Sequence, residues 1–430
     1  MESTDQRKYF RNLLLHFRPS EVPERTLRLT LTWGLGGMAV VLVFLLIGTG
    51  LLLKFAYEPS PEHAYDSILY LESQIPFGQL IRNIHRWSGN GLIFVGFLHL
   101  LRVFYTGAFM APRQLNWIFG LVLFTAVIFS NFTGYLLPWD QIAYWAITIS
   151  TSMLDYLPGV GTGIKEWILG GTEPGPVTLI NFYALHTAIL PALLLFVLPF
   201  HFWRIRKAGG LVIPRSPSEQ PGTTGPMVDA MPHLIVREAA MAVLLLAVVL
   251  AISMFFDAPL AEQANPGLSP NPTKAPWYFM GLQELLMHFH PVFSVFVIPL
   301  ILVAGLVSIP YFNYQAETVG VWFCSRKGRK TALAAVFIAI TATVAAVLAD
   351  EFLIGDSLAG PPNMINNGLV PFGIILAACT GFYVILKKGF KANNNEAVQA
   401  LFTLLVTAFV VLTVIGVWFR GTGMQLMWAG

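Results

Sequence analysis

Charge is what this sequence has least of. Only 11% of its 430 residues are Asp, Glu, Lys or Arg, 55% are hydrophobic, and mean hydropathy is +0.65. Soluble domains carry roughly 25% charged residues, so a water-soluble globular chain is excluded and an all-α polytopic membrane protein is expected. Cysteine is nearly absent as well. Cys324 and Cys379 are the only two, too few for a disulfide framework. Neither lies in a CxxC or CxxCH context, so zinc and covalently attached c-type haem have no local support. Residues 1–30 lack the short apolar core and small-residue cleavage site of a secretory signal, so no leader is expected to be removed. The net charge of +3 says little about partners, because in a membrane chain the location of charge outweighs its sum. No nucleic acid is expected among them.

What the chain does have is apolar runs of spanning length. Nine are expected, at about 32–55, 84–106, 115–137, 180–203, 236–256, 291–311, 331–349, 367–386 and 398–419, here called spans A to I. With the N-terminus in the cytoplasm, only Lys54, Arg82, Arg86, Lys165, Lys274 and Arg420 of the 26 basic residues fall on the outer side. That asymmetry obeys the positive-inside rule. Residues 1–31 place Tyr9, Phe10, Leu13, Leu14 and Phe17 on one helical face and Arg7, Lys8, Arg11 and Arg18 on the other. This suits an amphipathic segment on the membrane surface, with a solvated basic arm as the plainer reading. A Pro-, Ser-, Gly- and Thr-rich stretch at 213–227 marks a cytoplasmic linker. The expected domains are therefore that segment (1–31), a four-helix core (32–210), the linker (211–235), a second region (236–320) and additional C-terminal spans (321–430). Two long outer loops, 138–179 and 257–290, are rich in Trp and Tyr and read as short interfacial helices.

Span B carries His85 and His99, fourteen residues apart. On an α-helix that spacing makes nearly four turns, so both imidazoles face one way, about 21 Å apart along the axis. A histidine buried in a membrane is costly and is by default a functional hypothesis, although each alone could be a hydrogen-bonded core residue. Span D carries a second pair, His186 and His201, fifteen residues apart. Spans B and D run in parallel, so His85 should oppose His186 near the outer surface and His99 should oppose His201 near the inner one. That is the arrangement for two b-type haems held by bis-histidine ligation. Spans A and C supply Gly36 and Gly50, and Gly120 and Gly134, each fourteen apart. Gly50 and Gly134 match the outer level and Gly36 and Gly120 the inner, leaving room for a flat macrocycle. Ordinary glycine packing is the alternative. Arg82 and Arg102 lie at the two levels as candidate partners for haem propionates. Iron held by two imidazoles has no open position and transfers electrons rather than activating oxygen.

These residues carry a resemblance. With TGYLLPWDQIAYWA at 133–146, FYALHTAILP at 182–191 and PWYF at 276–279, the sequence resembles cytochrome b of the bc1 and b6f quinol–cytochrome c oxidoreductases. The resemblance covers at least residues 20–320. The fifteen-residue His186–His201 spacing is like the b6f branch. The fusion of both halves in one chain is similar to bacterial Rieske/cytochrome b complexes, which implies a bacterial inner membrane. The resemblance implies an outer site where quinol gives one electron to a Rieske iron–sulfur protein and one to the outer haem. An inner site reduces quinone, a c-type cytochrome receives electrons from the Rieske protein, and the complex is a homodimer. It implies that Tyr135, Ile147, Pro276, Trp277 and Tyr278 build the outer site.

Two departures stand out. The family motif is Pro-Glu-Trp-Tyr, whereas here it is Ala275-Pro276-Trp277-Tyr278. The carboxylate that would accept a quinol proton is missing, so Asp140 and Glu284 become candidates, with a solvated loop aspartate and a helix-surface glutamate as the plainer readings. The loss also suggests a lower-potential quinone such as menaquinone. Gly34 stands where b6f-type relatives have a cysteine that anchors an extra haem, so none is expected to be attached covalently. For the inner quinone site, His233, Arg237 and Glu238 gather where span E begins, with Arg28 and Lys207 nearby; a cytoplasmic rim explains them equally well. A dihaem anchor of another quinone-linked dehydrogenase would lack the PWDQ and PWY segments. A secondary transporter would show inverted repeats, and none is visible.

Overall fold

The structure is a computed structural model that describes residues 20–214, 225–314, 319–354 and 363–427. The expected amphipathic segment, up to residue 19, and linker residues 215–224 lie outside the described residues. Nine helices among the described residues are long and apolar enough to cross a membrane. They are span A, Leu35–Lys54; B, Gly78–Tyr105; C, Gln114–Tyr135; D, Pro176–Lys207; E, Ala230–Phe255; F, Val292–Tyr311; G, Arg326–Leu353; H, Ile365–Gly389; and I, Asn394–Phe419. Their number and order are those read from hydropathy. Only a helix or closed barrel satisfies its backbone polar groups internally in hydrocarbon, which is why apolar runs of this length become helices.

Prolines modulate three of these spans without ending them. A π-turn closes two residues before a proline each time: Leu185–Ile189 before Pro191, Val292–Val297 before Pro299, and Ile365–Leu369 before Pro371. Proline has no N–H, and its ring crowds the carbonyl four residues back. Widening the preceding turn by one residue relieves that crowding and keeps the helix continuous.

The chain forms two compact units. Among the described residues the first holds 20–138, 182–214, 225–260 and 319–322, with spans A to E apart from the first turns of D. Span A packs on B, C on D, and B on C. Span E also belongs here, packed on B and A, so the unit boundary does not follow the linker that the sequence suggested as a divide. Side chains of span B explain why. Asn83 Nδ2 donates to Ser253 O at 3.0 Å and to Asp257 at 2.9 Å, and Trp87 Nε1 donates to Phe256 O at 2.7 Å. Strands Glu21–Pro23 and Met227–Asp229 pair antiparallel, with Val22 opposite Val228, a small sheet in an otherwise helical chain. An additional helix, Ala64–Gln74, lies between A and B.

Among the described residues the second unit holds 139–181, 261–314, 323–354 and 363–427, with spans F to I. The two Trp- and Tyr-rich loops contain the expected short helices, Gln141–Ser152, Gly161–Leu169 and Met280–His288. Spans G and I pack through Ala335, Ala397 and Ala400, all fully buried. Small residues let helix backbones approach closely where lipid supplies no hydrophobic drive. Span I starts from a capping box in which Asn393 accepts from Glu396 N and Glu396 accepts from Asn393 N, satisfying two otherwise orphan donors.

Candidate functional site

Spans A to D set four imidazoles into two facing pairs. His85 faces His186 with ring centroids 6.1 Å apart and planes at 76°. His99 faces His201 at 6.5 Å and 74°. Two metal–nitrogen bonds of about 2 Å, with about 1 Å from each nitrogen to its ring centre, sum to about 6 Å. Each pair therefore has the spacing of two axial ligands on one ion. Among the described residues no group of three or more His, Cys, Asp or Glu side chains is placed to hold a bare metal. Two imidazoles alone suit an ion that brings its remaining ligands with it, as haem iron does.

The fifteen-residue spacing in span D needs a structural device. Fifteen residues overshoot four α-helical turns by about 60°. The π-turn Leu185–Ile189 contains His186 and absorbs one residue, bringing His186 and His201 to one face. The Nδ1 edges at the His85–His186 level are tied down. Thr49 Oγ1 donates to Leu45 O at 2.7 Å, so it is free to accept from His85 Nδ1 at 2.9 Å. His186 Nδ1 lies 2.9 Å from Ser130 O and 3.3 Å from Thr133 Oγ1. A proton held on Nδ1 by such partners leaves Nε2 bare to ligate.

The glycines match the histidines level for level, and they also touch them. A Cβ at Gly50 would lie 3.1 Å from His85 Cε1, at Gly36 3.3 Å from His99 Cε1, and at Gly120 3.6 Å from His201 Cε1. At Gly134 it would overlap the His186 ring, 2.9 Å from Nδ1. These glycines admit the rear edge of each imidazole against the neighbouring helix, a closer role than leaving space for a macrocycle. The sequence held a further signal. Thr49-Gly50 and Thr133-Gly134 repeat one dipeptide in spans A and C at one level.

The arginines sort differently from the expectation. Arg82 is buried, but it pairs with Glu72 and donates to Ala258 O and Pro259 O, both at 2.8 Å. Its guanidinium clamps segments of protein together, which corrects the propionate role expected of it. Arg86, overlooked in the sequence although it follows His85, stands 5.0 Å over the Tyr135 ring, and its buried Nε has no hydrogen-bond partner among the described residues. Arg102 keeps its expected place. Its Nε donates to Leu31 O at 2.7 Å, while one terminal nitrogen is buried with no hydrogen-bond partner among the described residues. It lines a cavity of about 1210 Å³, counting the space open at its mouth, together with Gly36, His99, Asn116, Gly120 and His201. An apolar cavity with paired imidazoles and an orphaned buried guanidinium nitrogen fits a flat apolar group bearing an anionic edge.

Of the residues expected at a quinol site, Tyr135 belongs to the first unit and Ile147, Pro276, Trp277 and Tyr278 to the second. Ile147 is buried. Trp277 and Tyr278 form a 3-10 turn, their rings edge-on at 5.8 Å. Gln283, which the sequence reading passed over, fixes the approach to that turn by accepting from Ala275 N and donating to Thr273 O, both at 2.7 Å.

Both acid candidates depart from their plainer readings. Asp140 is buried and caps helix Gln141–Ser152, accepting from Ala143 N at 2.8 Å and Ala261 N at 2.9 Å. Each carboxylate oxygen accepts from one backbone donor, so its side chain is held in place as a helix cap. Glu284 is wholly buried rather than on a helix surface, and Arg420 donates to it. Of the inner-site residues, Arg237 donates to Leu27 O, and His233 and Arg28 are exposed. Gly34 has φ +66°, with Met241 3.5 Å from where its Cβ would be, a backbone conformation that an L side chain rarely adopts.

Comparisons with known proteins follow the same residues. The family model for cytochrome b/b6/petB matches residues 23–209, which hold all four paired histidines. The chain is 43% identical over 175 residues to cytochrome b6 of Acaryochloris marina, covering 41% of this chain and 81% of that protein. It is 42% identical over 174 residues to cytochrome b6 of Cyanidium caldarium, covering 40% and 81%. In three dimensions it is similar to a solved chain described as hyperthermophilic respiratory Complex III. That match has a TM-score of 0.68 and 24% identity and covers 96% of this chain and 98% of the other, a likeness of fold.

Proposed function

The chain belongs to the cytochrome b/b6 family, and from that premise we propose that it is the membrane electron-transfer subunit of a quinol–cytochrome c oxidoreductase. The observation that carries the reading is the two imidazole pairs, at 6.1 and 6.5 Å, in one bundle. His85 with His186, and His99 with His201, would hold two b haems. Haems so ligated supply one-electron relay across the hydrocarbon. The chain's own part is to fix the ligands. Thr49 and Ser130 set the Nδ1 side, the glycines seat the rings, and Arg86 and Arg102 offer buried donors to anionic edges. Apolar walls exclude water from the relay.

In this reading quinol is oxidised beside Tyr278, Trp277 and Pro276 on the outer side, with Ile147 lining the pocket. One electron goes to a Rieske protein and then a c-type cytochrome, and one crosses to quinone reduced near Arg28, His233, Arg237 and Glu238. The absent motif glutamate favours a low-potential quinol such as menaquinol. A bacterial inner membrane, a cytoplasmic N-terminus and a homodimeric complex complete the proposal.

The test is a reduced-minus-oxidised spectrum of the purified complex with haem quantified per chain, followed by turnover with several quinols. Two b-type haems per chain and menaquinol-supported cytochrome reduction are expected. Absence of b-type absorbance would overturn the reading.

A further inference from the structure

The second unit contains a chain of ionisable groups that the relay does not use. Glu284 and His288 lie one turn apart on the short helix that continues from the Trp277–Phe279 turn. Both Glu284 and Arg420 are wholly buried. Arg420 donates through Nε to both Glu284 oxygens at 3.1 Å and through a terminal nitrogen to Oε1 at 2.7 Å. Its other terminal nitrogen donates to Glu351 at 2.9 Å and to Met424 O at 3.0 Å. His288 bridges outward, with Nε2 3.2 Å from Glu284 Oε1 and Nδ1 2.6 Å from Asp350 Oδ2. Side-chain exposure climbs along this path, from 0% at Glu284 through 11% at His288 to 37% at Asp350.

Three of these residues come from the additional C-terminal region. Asp350 and Glu351 end span G, and Arg420 follows span I. Span I is pressed against the same short helix. A Cβ at Gly281 would meet Thr413 Oγ1 at 2.6 Å, and one at Gly416 would meet Met280 Cε at 2.8 Å. Three carboxyls face two cations, a formal charge of minus one in a buried setting, so taking up one proton neutralises the group. Burial alone would raise the Glu284 carboxyl, but hydrogen bonds from His288 and Arg420 outweigh it and hold Glu284 below the usual carboxylate range. Burial alone would lower the His288 imidazole, but hydrogen bonds to Asp350 and Glu284 bring it up to about 9.

We propose that the path Glu284–His288–Asp350 carries a proton released in quinol oxidation away from the 276–279 segment to solvent, with Arg420 as the positioning residue that holds Glu284. The proposal rests on the quinol-oxidising reading above. Oxidation of a quinol breaks two O–H bonds and sends its electrons along the routes already named. One of the protons is taken up on a Glu284 oxygen. His288, protonated on both nitrogens, gives its Nδ1 proton to Asp350 Oδ2, and Asp350 delivers it to water. The ring, left with a proton on Nε2 alone, turns to face its bare nitrogen to Glu284 and takes the proton held there, which restores every group to its starting state.

The test is steady-state quinol oxidation by the assembled complex against pH for Asp350→Asn, Asp350→Glu and His288→Gln, with haem content measured in each. The charged groups packed around the path are Glu284 and His288 on the short helix, Asp350 and Glu351 on span G, Arg420 after span I, and Lys274 on the preceding loop. D350N should keep its haems and lose roughly tenfold in rate at neutral pH, less than the about 10²–10⁴ that positioned acid–base groups contribute, because water reaches the partly exposed end of the path. The deficit should narrow at alkaline pH, and D350E should restore the rate. Asp350 is partly exposed, so D350N keeps the test decisive if H288Q fails to assemble. Unchanged rate and pH profile in haem-replete D350N would overturn the proposal. A wild-type complex that oxidises no quinol would instead overturn the reading beneath it.

Discussion

The histidines of the two units occupy opposite kinds of surroundings. In the first unit His85, His99, His186 and His201 face one another, glycine backbones, a threonine hydroxyl and a carbonyl, and none is paired with a carboxylate among the described ion pairs. In the second, His288 sits between two carboxylates. An imidazole with hydroxyl and carbonyl partners is fixed as a neutral ligand, whereas one between two acids is kept protonated and passes protons. Neighbours, not residue type, decide whether a costly polar group in an apolar chain serves electrons or protons.

The comparison breaks hardest at the glycines. Gly134→Ala puts a methyl into the His186 ring, 2.9 Å from Nδ1, while Gly120→Ala stops 3.6 Å short of His201. We expect G134A to lose the haem at the His85–His186 level and G120A to keep both, read as haem per chain and as loss of one b-type spectral component. Equal retention in both variants would mean that the glycines only fill space.

The ionic cluster should fail by a different route. Arg420→Met strands Glu284 and Glu351 beside an apolar side chain, and breaking one partner of a buried pair costs about 3–5 kcal/mol. A lower melting temperature with normal haem content is expected. Adding Glu284→Gln to that variant should recover part of the loss, because the unpaired charge goes with it. Haem loss in R420M would show that the second unit supports the relay directly.

The difference between the regions also explains what could be read from sequence. The four paired histidines recur at fourteen- and fifteen-residue intervals within single helices, so helical geometry brings them to one face, and Gly50 and Gly134 sit in register with them. Nine spans were legible because hydropathy is local. Span E's membership of the first unit was not, since it depends on Asn83 and Trp87 reaching residues about 170 positions away. Arg420 and Glu284 are 136 residues apart, and no periodicity links them. Arg82 was misread because its place beside the histidines was visible while Glu72, Ala258 and Pro259, its actual partners, were not.

The smallest expected effect separates the two acids once offered for one task. Asp140 spends both oxygens on backbone N–H groups, Ala143 and Ala261, whereas Glu284 meets His288 and Arg420. Asparagine caps a helix about as well as aspartate, and replacing either with alanine costs about 0.5–2 kcal/mol. Asp140→Asn keeps one acceptor but turns its NH2 toward the other backbone N–H, so it should lower the melting temperature modestly while leaving the rate of quinol oxidation unchanged, and Asp140→Ala, which keeps neither acceptor, should lower the melting temperature further with haem content intact. A proton acceptor cannot tolerate the amide, because an amide takes up no proton near neutral pH. A D140N complex that assembles with both haems yet fails to oxidise quinol would return the proton-accepting role to Asp140 and leave the buried cluster of the second unit as a brace.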